Sequence, residues 1–330
     1  MNKHLIALAA VATLATSGAA LAQSSVTIYG RLDNSVGSIK ELGKSSQNKM
    51  FYGGTAGLTT PRLGFRGTED LGGGLKANFQ LEQRIDTTTG ALEDPSFKGA
   101  ALLGLSGDFG TVRAGRMTTQ LDDVRALSYS SNVFDSAFSP ADNGVFKSGG
   151  DYSKRHNSQI RYELPALGGV YGGVSHAFEQ TAGKGDSMTG FMVGYKAGPM
   201  NVALGYQNEK TKSKYTGIAG SYDLGMASVS GGFNTRSGST AALGKDNEYT
   251  FGVNVPVSAA INVSVGYASS KTKVNGNTTL KSDGFGLGAT YAFTKRTRAY
   301  VGYRAHNIKN AAGTKTTDTT LYAVGVRHDF

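Results

Sequence analysis

The amino-acid sequence predicts an all-β protein, a sixteen-stranded antiparallel transmembrane β-barrel. Apolar and polar residues alternate along most of the chain, which is typical of strands with one apolar and one polar face. Glycine accounts for 47 of the 330 residues, and helices tolerate glycine poorly. The N-terminus has the layout of an export signal, and no later stretch of 18 apolar residues could form a transmembrane helix.

The export segment has three recognisable parts. A basic start at Lys3 precedes an apolar run over residues 5–14, and an A-L-A pattern ends the segment. This arrangement is typical of a cleaved secretory signal, and a membrane anchor would need a longer apolar run. The absence of cysteine suits an exported protein that does not depend on disulfides. We therefore predict a signal peptide at 1–22 and one barrel domain at 23–330.

The alternation is regular enough to assign faces to strands. In residues 282–293, the odd-numbered positions from Phe285 to Phe293 are apolar or aromatic, and the even-numbered ones are mostly glycine. The same pattern recurs in 75–84, 249–255 and 261–268. The polar faces are rich in Gly, Asn, Ser, Thr and charged residues. A soluble β-sandwich would pack its apolar faces together as a core and expose its polar faces on the outside. The composition of the polar faces here suits the wall of a water-filled lumen instead.

The connections between these strands predict their number. Seven short turns and eight longer, polar connections would join sixteen strands, with the two kinds at opposite ends of a barrel. The short turns lie at 69–74, 107–110, 165–169, 197–200, 223–226, 256–259 and 293–296. The longer connections include 39–55, 87–96, 117–153, 179–188, 236–247, 272–281 and 308–317.

The chain ends on an aromatic residue, which fits a strand in a membrane. In the last strand, Tyr322, Val324, Val326, His328 and Phe330 share one face, which we expect to contact lipid. Phe330 would then lie at the membrane–water boundary, where aromatic rings are favoured. A ring of aromatics is expected just before the short turns, from Tyr162, Tyr195, Tyr222 and Tyr291.

Several stretches make the chain similar to a known family. They are "SSVTIYGRLD", "RLGFRGTEDLGGGLKANFQLE", "LLGLSGDFGTVRAGR", "RHNSQIRYELPALGG" and the terminal "VGVRHDF". The sequence resembles the trimeric general-diffusion porins of beta-proteobacteria, which are related to the neisserial porins. The resemblance implies an outer-membrane homotrimer whose third long loop folds into the pore. It also implies that Phe330 is the signal read by the barrel-assembly machinery.

The charges expected on the lumen face predict a preference for anions. The formal net charge is +10, and a low-dielectric wall focuses such a field within a narrow aqueous path. Small hydrophilic solutes and anions should therefore pass by diffusion. The inward basic candidates are Arg31, Arg62, Arg66, Lys76, Arg84, Lys98, Arg113, Arg155, Arg161, Arg236, Arg298, Arg304 and Arg327, and the acidic ones are Asp33, Glu82, Glu163, Glu248 and Asp329.

The narrowest part of the pore is expected to use a subset of these charges. By resemblance, Arg62, Lys98 and Arg155 match basic positions of the constriction wall, and the alternation turns Arg113 inward. Some relatives carry further arginine after the position of Lys98, where this chain has glycine and alanine, so we expect anion selectivity to be mild. The third loop would supply an acidic side from Asp122, Asp123 and Asp135.

Three other functions compete with this interpretation. A barrel enzyme would need a catalytic arrangement, which the spacing of His156, His176, His306 and His328 does not suggest. A substrate-specific sugar channel would use aromatic residues in the lumen, whereas most tyrosines fall on the lipid face. An adhesin or structural barrel would show no conductance. No cofactor, metal or nucleic acid is expected, because no motif for any of them is complete.

Overall fold

The computed structural model describes residues 25–128, 136–141, 144–146, 155–179 and 181–330. The segment predicted as a signal peptide lies outside these residues. No helix in the described part of the chain is long and apolar enough to span a bilayer.

The described chain is almost entirely β-structure in one antiparallel sheet. The strands are β1 (Ser25–Glu41), β2 (Gln47–Tyr52), β3 (Arg62–Gly72), β4 (Leu75–Arg84), β5 (Ala100–Gly107), β6 (Gly110–Thr118), β7 (Arg155–Glu163), β8 (Val170–Ala177), β9 (Met188–Ala197), β10 (Met200–Glu209), β11 (Ser213–Asp223), β12 (Ser228–Gly238), β13 (Lys245–Pro256), β14 (Ile261–Val274), β15 (Asn277–Ala292), β16 (Thr297–Asn310) and β17 (Lys315–Asp329). Helices α1 (Gly53–Ala56) and α2 (Gln120–Ala126) and a short 3₁₀ turn (Ala241–Leu243) complete the structure.

Seventeen strand segments form a barrel of sixteen strands, which confirms the predicted number. β2 and β3 both pair with the same edge of β1, β2 with its second half and β3 with its first half. They are therefore one barrel strand, interrupted by residues 53–61. This interruption, which contains α1 and which we call the inner bulge, packs against inward-facing Asp33.

Pairing of the first and last strands closes the barrel. The other edge of β1 pairs with β17, from Arg31 opposite Asp329 to Glu41 opposite Thr319. Gly30 and the terminal Phe330 extend this ladder with two reciprocal backbone hydrogen bonds of 3.0 Å. Closure leaves no unpaired sheet edge in the bilayer, where an unpaired backbone group would cost several kcal/mol.

The predicted short turns are confirmed, but three predicted loops are shorter than expected. The connections within 236–247, 272–281 and 308–317 are reduced to 239–244, 275–276 and 311–314, so that β14 and β15 are joined only by Asn275 and Gly276. Both of these residues have positive φ, as an Asn-Gly hairpin turn requires. The polar sequence misled the prediction because these strands extend beyond the bilayer, where the outer face meets water and no longer needs apolar residues.

The two faces of the sheet match the predicted alternation. Exposed apolar side chains cover the outer face. On β16, exposed Val301 and Tyr303 alternate with inward-facing Tyr300, Gly302 and Arg304. Tyr195, Tyr222 and Tyr291 of the predicted aromatic ring are also exposed. In a membrane protein this exposed apolar surface contacts lipid.

Candidate functional site

Four arginines on strands β3, β6 and β7 line one cavity in the lumen. The cavity measures about 340 Å³. Arg62 begins β3, Arg113 lies in β6, and Arg155 and Arg161 lie in β7. We call these four residues the arginine wall. The cavity is lined by Arg62, Gln80, Glu82, Gly99, Ala100, Leu102, Arg113, Met117, Thr118, Arg155, Arg161 and Glu163.

Arg62 is held in place by a carboxylate and by the inner bulge. Its Nη1 lies 3.2 Å from Glu82 Oε1, which also pairs with Arg84 Nη2 at 3.2 Å. Its Nη2 donates to the Thr59 hydroxyl at 2.9 Å, and its Nε donates to the Thr60 carbonyl at 3.1 Å. The guanidinium is therefore fixed at the wall, with two arginines sharing the negative charge of one glutamate.

The inner bulge is itself anchored from across the barrel seam. The Thr59 N–H donates to Asp33 Oδ2 at 2.9 Å, and the Tyr300 hydroxyl donates to Asp33 Oδ1 at 2.5 Å. Asp33 has no exposed surface. A chain of hydrogen bonds thus runs from Tyr300 through Asp33 and Thr59 to Arg62, and we call it the bulge anchor.

A second group of charges connects the wall to the third loop, residues 119–154. Arg113 and Arg161 are direct neighbours on β6 and β7. Both pair with Glu163, and Arg161 Nη2 lies 2.8 Å from Glu163 Oε1. Arg161 also pairs with Asp123 of α2. This last pair joins the loop directly to the arginine wall.

The environment of Asp123 alters its proton affinity. Burial raises the pKa of the Asp123 carboxyl above its ordinary value, and the Arg161 guanidinium opposes that rise. The nearby carboxylates of Asp122 and Glu163 raise the pKa further. Asp123 therefore takes up a proton at a higher pH than an exposed aspartate does.

Arg155 supplies positive charge that no carboxylate of the described residues balances. Its Nε donates to the Gly99 carbonyl at 2.7 Å, and Arg116 Nε donates to the adjacent Lys98 carbonyl at 3.0 Å. Within the described ranges, no carboxylate lies within 4 Å of either guanidinium. Arg155 also borders a second cavity of about 310 Å³, lined by Arg116, Arg155, His156, Asn157, Asp186, Glu209, Thr211 and Lys212.

The structure brings some of the predicted constriction residues together and separates others. Arg62, Arg113 and Arg155 share the cavity. Lys98 lies outside it, with Nζ 3.3 Å from Glu93 Oε2. Asp122 pairs with Arg125 of its own helix at 3.2 Å, and Asp135 lies outside the described residues. The roles assigned to these side chains in the constriction stay predictions.

The third loop packs on the wall at two apolar places. Leu121 of α2 packs on Tyr215, and Val124 packs on Met192, Ala203 and Ala219. Farther along, Phe138, Ala141, Val145 and Phe146 join a cluster with Phe51, Ala56, Leu58, Ala268, Tyr300, Leu321 and Ala323. The described part of the loop therefore lies against inward-facing wall residues, within the lumen.

Glycines on the wall make room for this loop. A methyl group added at Gly302 would overlap the Phe138 ring, and one added at Gly205 would lie 2.8 Å from Val124 Cγ2. Arg304 also donates to the Ala137 carbonyl, and Ser270 donates to the Val145 carbonyl. The loop backbone is thus fixed by close packing and by wall hydrogen bonds together.

The predicted constriction omitted several residues that belong to the cavity. Arg161, Glu82 and Glu163 line it, although the sequence prediction placed them only on the inner face. The alternation of apolar and polar residues alone could not select them, because it gives the face of a strand on which a residue lies but not its height along the barrel axis. A signal that could have found them is the Arg161/Glu163 spacing, which puts opposite charges next to each other on one face.

Comparisons with known proteins agree with this geometry. Residues 7–311 match the family described as Gram-negative porin. Outer membrane porin protein 32 of Delftia acidovorans is 35% identical over 352 residues, covering 99% of this chain and 95% of that protein. An outer membrane porin of Bordetella pertussis is 29% identical over 399 residues, and the alignment covers 100% of both chains.

Solved structures have the same fold. A structure described as an anion-selective porin from Comamonas acidovorans superposes with a TM-score of 0.78 at 28% identity, covering 93% of this chain and 100% of that one. The trimer form of OmpT from Vibrio cholerae has a TM-score of 0.72 at 16% identity, covering 93% and 99% of the two chains, and supports the fold alone. Porins are channels rather than enzymes. The chain belongs to the Gram-negative porin family and is a porin of the outer membrane, a β-barrel through which solutes diffuse passively.

Proposed function

We propose that this porin is a general-diffusion channel with a mild preference for anions, and that the arginine wall is one side of its constriction. The observation that carries the proposal is the excess of arginine over carboxylate around the cavity. Four arginines line it with two glutamates, and Asp123 adds a third carboxylate from the loop. Arg155 and Arg116 keep charges that no described carboxylate balances.

Elementary electrostatics turns this excess into selectivity. A fixed charge acts on a passing ion more strongly where low-dielectric walls confine the water, so the field is focused at the cavity. Arg113 and Arg161 contribute little net charge at a distance, because Glu163 and Asp123 lie beside them, whereas Arg62 and Arg84 share one glutamate and keep one positive charge. Selectivity should therefore depend mostly on Arg155 and on the charge that Glu82 leaves uncompensated. The description of the Comamonas relative as anion-selective supports the same sign.

The remaining predicted roles belong to the same proposal. Asp122, Asp123 and Asp135 would form the acidic side of the constriction, with Asp123 in contact with Arg161 and Lys98 at the margin. The functional unit would be a homotrimer in outer-membrane lipid, as the resemblance of the sequence to trimeric porins implies. Phe330 would be read by the barrel-assembly machinery, and residues 1–22 would be removed on export. N-terminal sequencing of protein taken from the outer membrane tests the last point.

The decisive experiment is a planar bilayer recording under a potassium chloride gradient. We expect openings in groups of three and a reversal potential of the sign that chloride preference gives. A reversal potential showing firm preference for potassium would refute the electrostatic proposal. Block of the current by one particular sugar, saturating with concentration, would instead indicate a substrate-specific channel.

A further inference from the structure

A further cavity lies in the lumen between the arginine wall and the short turns. It measures about 490 Å³, and we call it the exit cavity. Gln80, Leu102 and Arg113 line both this cavity and that of the arginine wall, so the two are adjacent. The exit cavity is the nearer of the two to the turns at 73–74 and 108–109, and in such barrels the short turns face the periplasm.

Strand register places a polar pair of the exit cavity between two basic residues. Thr68 on β3 lies opposite Asn78 on β4. Arg66 is two residues from this pair on one side, and Lys76 is two residues from it on the other side. Each step is about 7 Å along a strand, which an extended arginine or lysine side chain can span. An anion over the pair would therefore lie within reach of both cations.

The positive charge of these two residues is not neutralised nearby. Among the described residues, no carboxylate lies within 4 Å of the charged groups of Arg66 or Lys76. Asp70 is opposite Lys76, but its Oδ1 accepts from the Gly72 N–H at 2.9 Å within the turn. Arg113 adds less net charge, because it pairs with a glutamate. Two positive charges thus remain at the wall of the exit cavity.

Arg66 is positioned by an aromatic ring that is itself fixed. Its Cζ lies 5.1 Å from the centre of the Tyr29 ring. The Tyr29 hydroxyl accepts from Gln80 Nε2 at 2.7 Å and donates to Glu82 Oε2 at 3.2 Å. The face of the ring attracts the guanidinium without occupying its N–H groups. These donors stay available to an anion in the exit cavity.

Neutral hydrogen-bonding groups surround the same pair. Ser25 on β1 is opposite Thr68, and Ser106 on β5 lines the same cavity. Gly104 is opposite Asn78, and a methyl group at Gly104 would lie 2.7 Å from Asn78 Oδ1, so the glycine keeps this part of the wall open. Hydroxyl and amide groups both donate and accept hydrogen bonds, as the hydroxyls of a sugar require.

We propose that the exit cavity binds a phosphorylated sugar. The phosphate would lie over the Thr68–Asn78 pair between Arg66 and Lys76, and the sugar hydroxyls would contact the surrounding serines. A neutral sugar would forgo the charge-assisted hydrogen bonds, and inorganic phosphate would leave the neutral groups unused. The cavity volume is in the range of about 300–1,000 Å³ that small-molecule sites occupy. The site is separate from the proposed anion preference, because neither cation belongs to the arginine wall.

The test is the block of ion current through the channel by glucose 6-phosphate in planar bilayers. We expect a saturable block, at least about tenfold stronger than that by glucose or by inorganic phosphate. Fructose 6-phosphate should block comparably, because the site recognises a chemical class. Arg66→Gln/Lys76→Gln should weaken the block at least about tenfold. The matched control, Lys196→Gln/Arg296→Gln, removes one lysine and one arginine that are exposed near other short turns, and should behave as wild type.

A second variant tests the neutral part of the site. Thr68→Val/Ser106→Ala removes two hydroxyls and no charge. It should weaken the block by glucose 6-phosphate about fivefold and leave the block by inorganic phosphate unchanged. Because a variant that conducts is folded, weaker block in these channels is not a folding defect.

Several results would overturn the proposal. These are equal block by inorganic phosphate and glucose 6-phosphate, equal weakening in the control variant, and an unchanged block in the hydroxyl variant. Block by a single sugar phosphate would indicate a channel specific for one substrate. Loss of block in Arg155→Gln but not in Arg66→Gln/Lys76→Gln would place the binding at the arginine wall. The reversal potential, recorded on the same membranes without sugar phosphate, tests the ion preference separately.

Discussion

The two halves of the lumen wall carry different residues on their inner faces, although their outer faces are alike. On β3, β6 and β7 the inner face carries the long charged side chains of the arginine wall. On β9 to β11 and β14 to β17 the places where the third loop packs carry glycine, alanine and a few apolar residues, with Arg304 donating to the loop backbone. Outward positions on both halves are apolar, because the same bilayer surrounds them.

This difference teaches how one alternating pattern gives two kinds of surface. Where the inner face meets water, a long arginine can extend, pair and set the field. Where the loop approaches most closely, at Gly302 and Gly205, any side chain would occupy the space that Phe138 or Val124 fills. On the proposed function, the first half determines which ions pass, while the second half fixes where the described part of the loop lies. Each half can be altered separately.

The largest effect is expected from reversing the unbalanced charge of the arginine wall. Arg155→Glu changes the local charge by two, and at roughly 6 Å in water this is worth about 1.4 kcal/mol before screening by salt. Because this change destabilises an anion and stabilises a cation by the same amount, the ratio of anion to cation permeability should fall by up to about a hundredfold before screening. The reversal potential under a salt gradient measures it.

Arg296→Glu is the matched control for this charge reversal. Arg296 is exposed in a short turn at the other end of the barrel, so the same change in net charge should affect selectivity far less. An Arg155→Glu channel with the selectivity of the Arg296→Glu channel would show that Arg155 does not border the ion path.

A substitution on the loop-covered half should alter conductance rather than selectivity. Gly302→Leu would push the Phe138 ring away from the wall and move the loop toward the middle of the lumen. Overpacking of this kind costs about 1–3 kcal/mol, and single-channel conductance should fall while the preferred ion stays the same. Val301→Leu changes the outer face one residue away and should leave conductance unchanged. Equal conductance in both variants would mean that the loop does not restrict the pore.

A smaller effect is expected from the bulge anchor. Thr59→Val keeps the side-chain shape but removes the hydroxyl that accepts from Arg62, a loss of about 1–3 kcal/mol for a hydrogen bond to a charged group. The guanidinium keeps its contacts with Glu82 and the Thr60 carbonyl but should become more mobile and increase current noise, whereas Thr59→Ser should behave as wild type. If Thr59→Val has the same effect in an Arg62→Gln background, the hydroxyl does not act through Arg62.

The smallest effect is expected from pH. Because burial raises the pKa of Asp123, acidification neutralises this carboxylate before it neutralises exposed aspartates. Loss of one negative charge beside Arg161 should strengthen anion preference as the pH falls. Asp123→Asn should show the stronger preference already at neutral pH and lose that part of the pH dependence. An unchanged pH profile in this variant would show that Asp123 is not the titrating group.

Strand number and strand faces were predictable because both depend on local patterns. The alternation around Phe285 and the short turns reflect contact with lipid on one side and water on the other, which acts on each residue separately. The prediction fails where a strand extends beyond the lipid. At 272–281 the outer face meets water, the pattern disappears, and a continuous hairpin looked like a loop.

The sequence alone therefore determined the sixteen-stranded barrel and the separation of short turns and long loops to opposite ends of it. It also determined the inward direction of Arg62, Arg113 and Arg155. Only the tertiary structure decided which inward charges meet. Arg161 pairs with Asp123, 38 positions away along the chain, and Tyr300 supports Thr59 through Asp33. Periodicity assigns a face to each residue one strand at a time. Contacts across the lumen depend on barrel closure and on the path of the third loop, which no local pattern encodes.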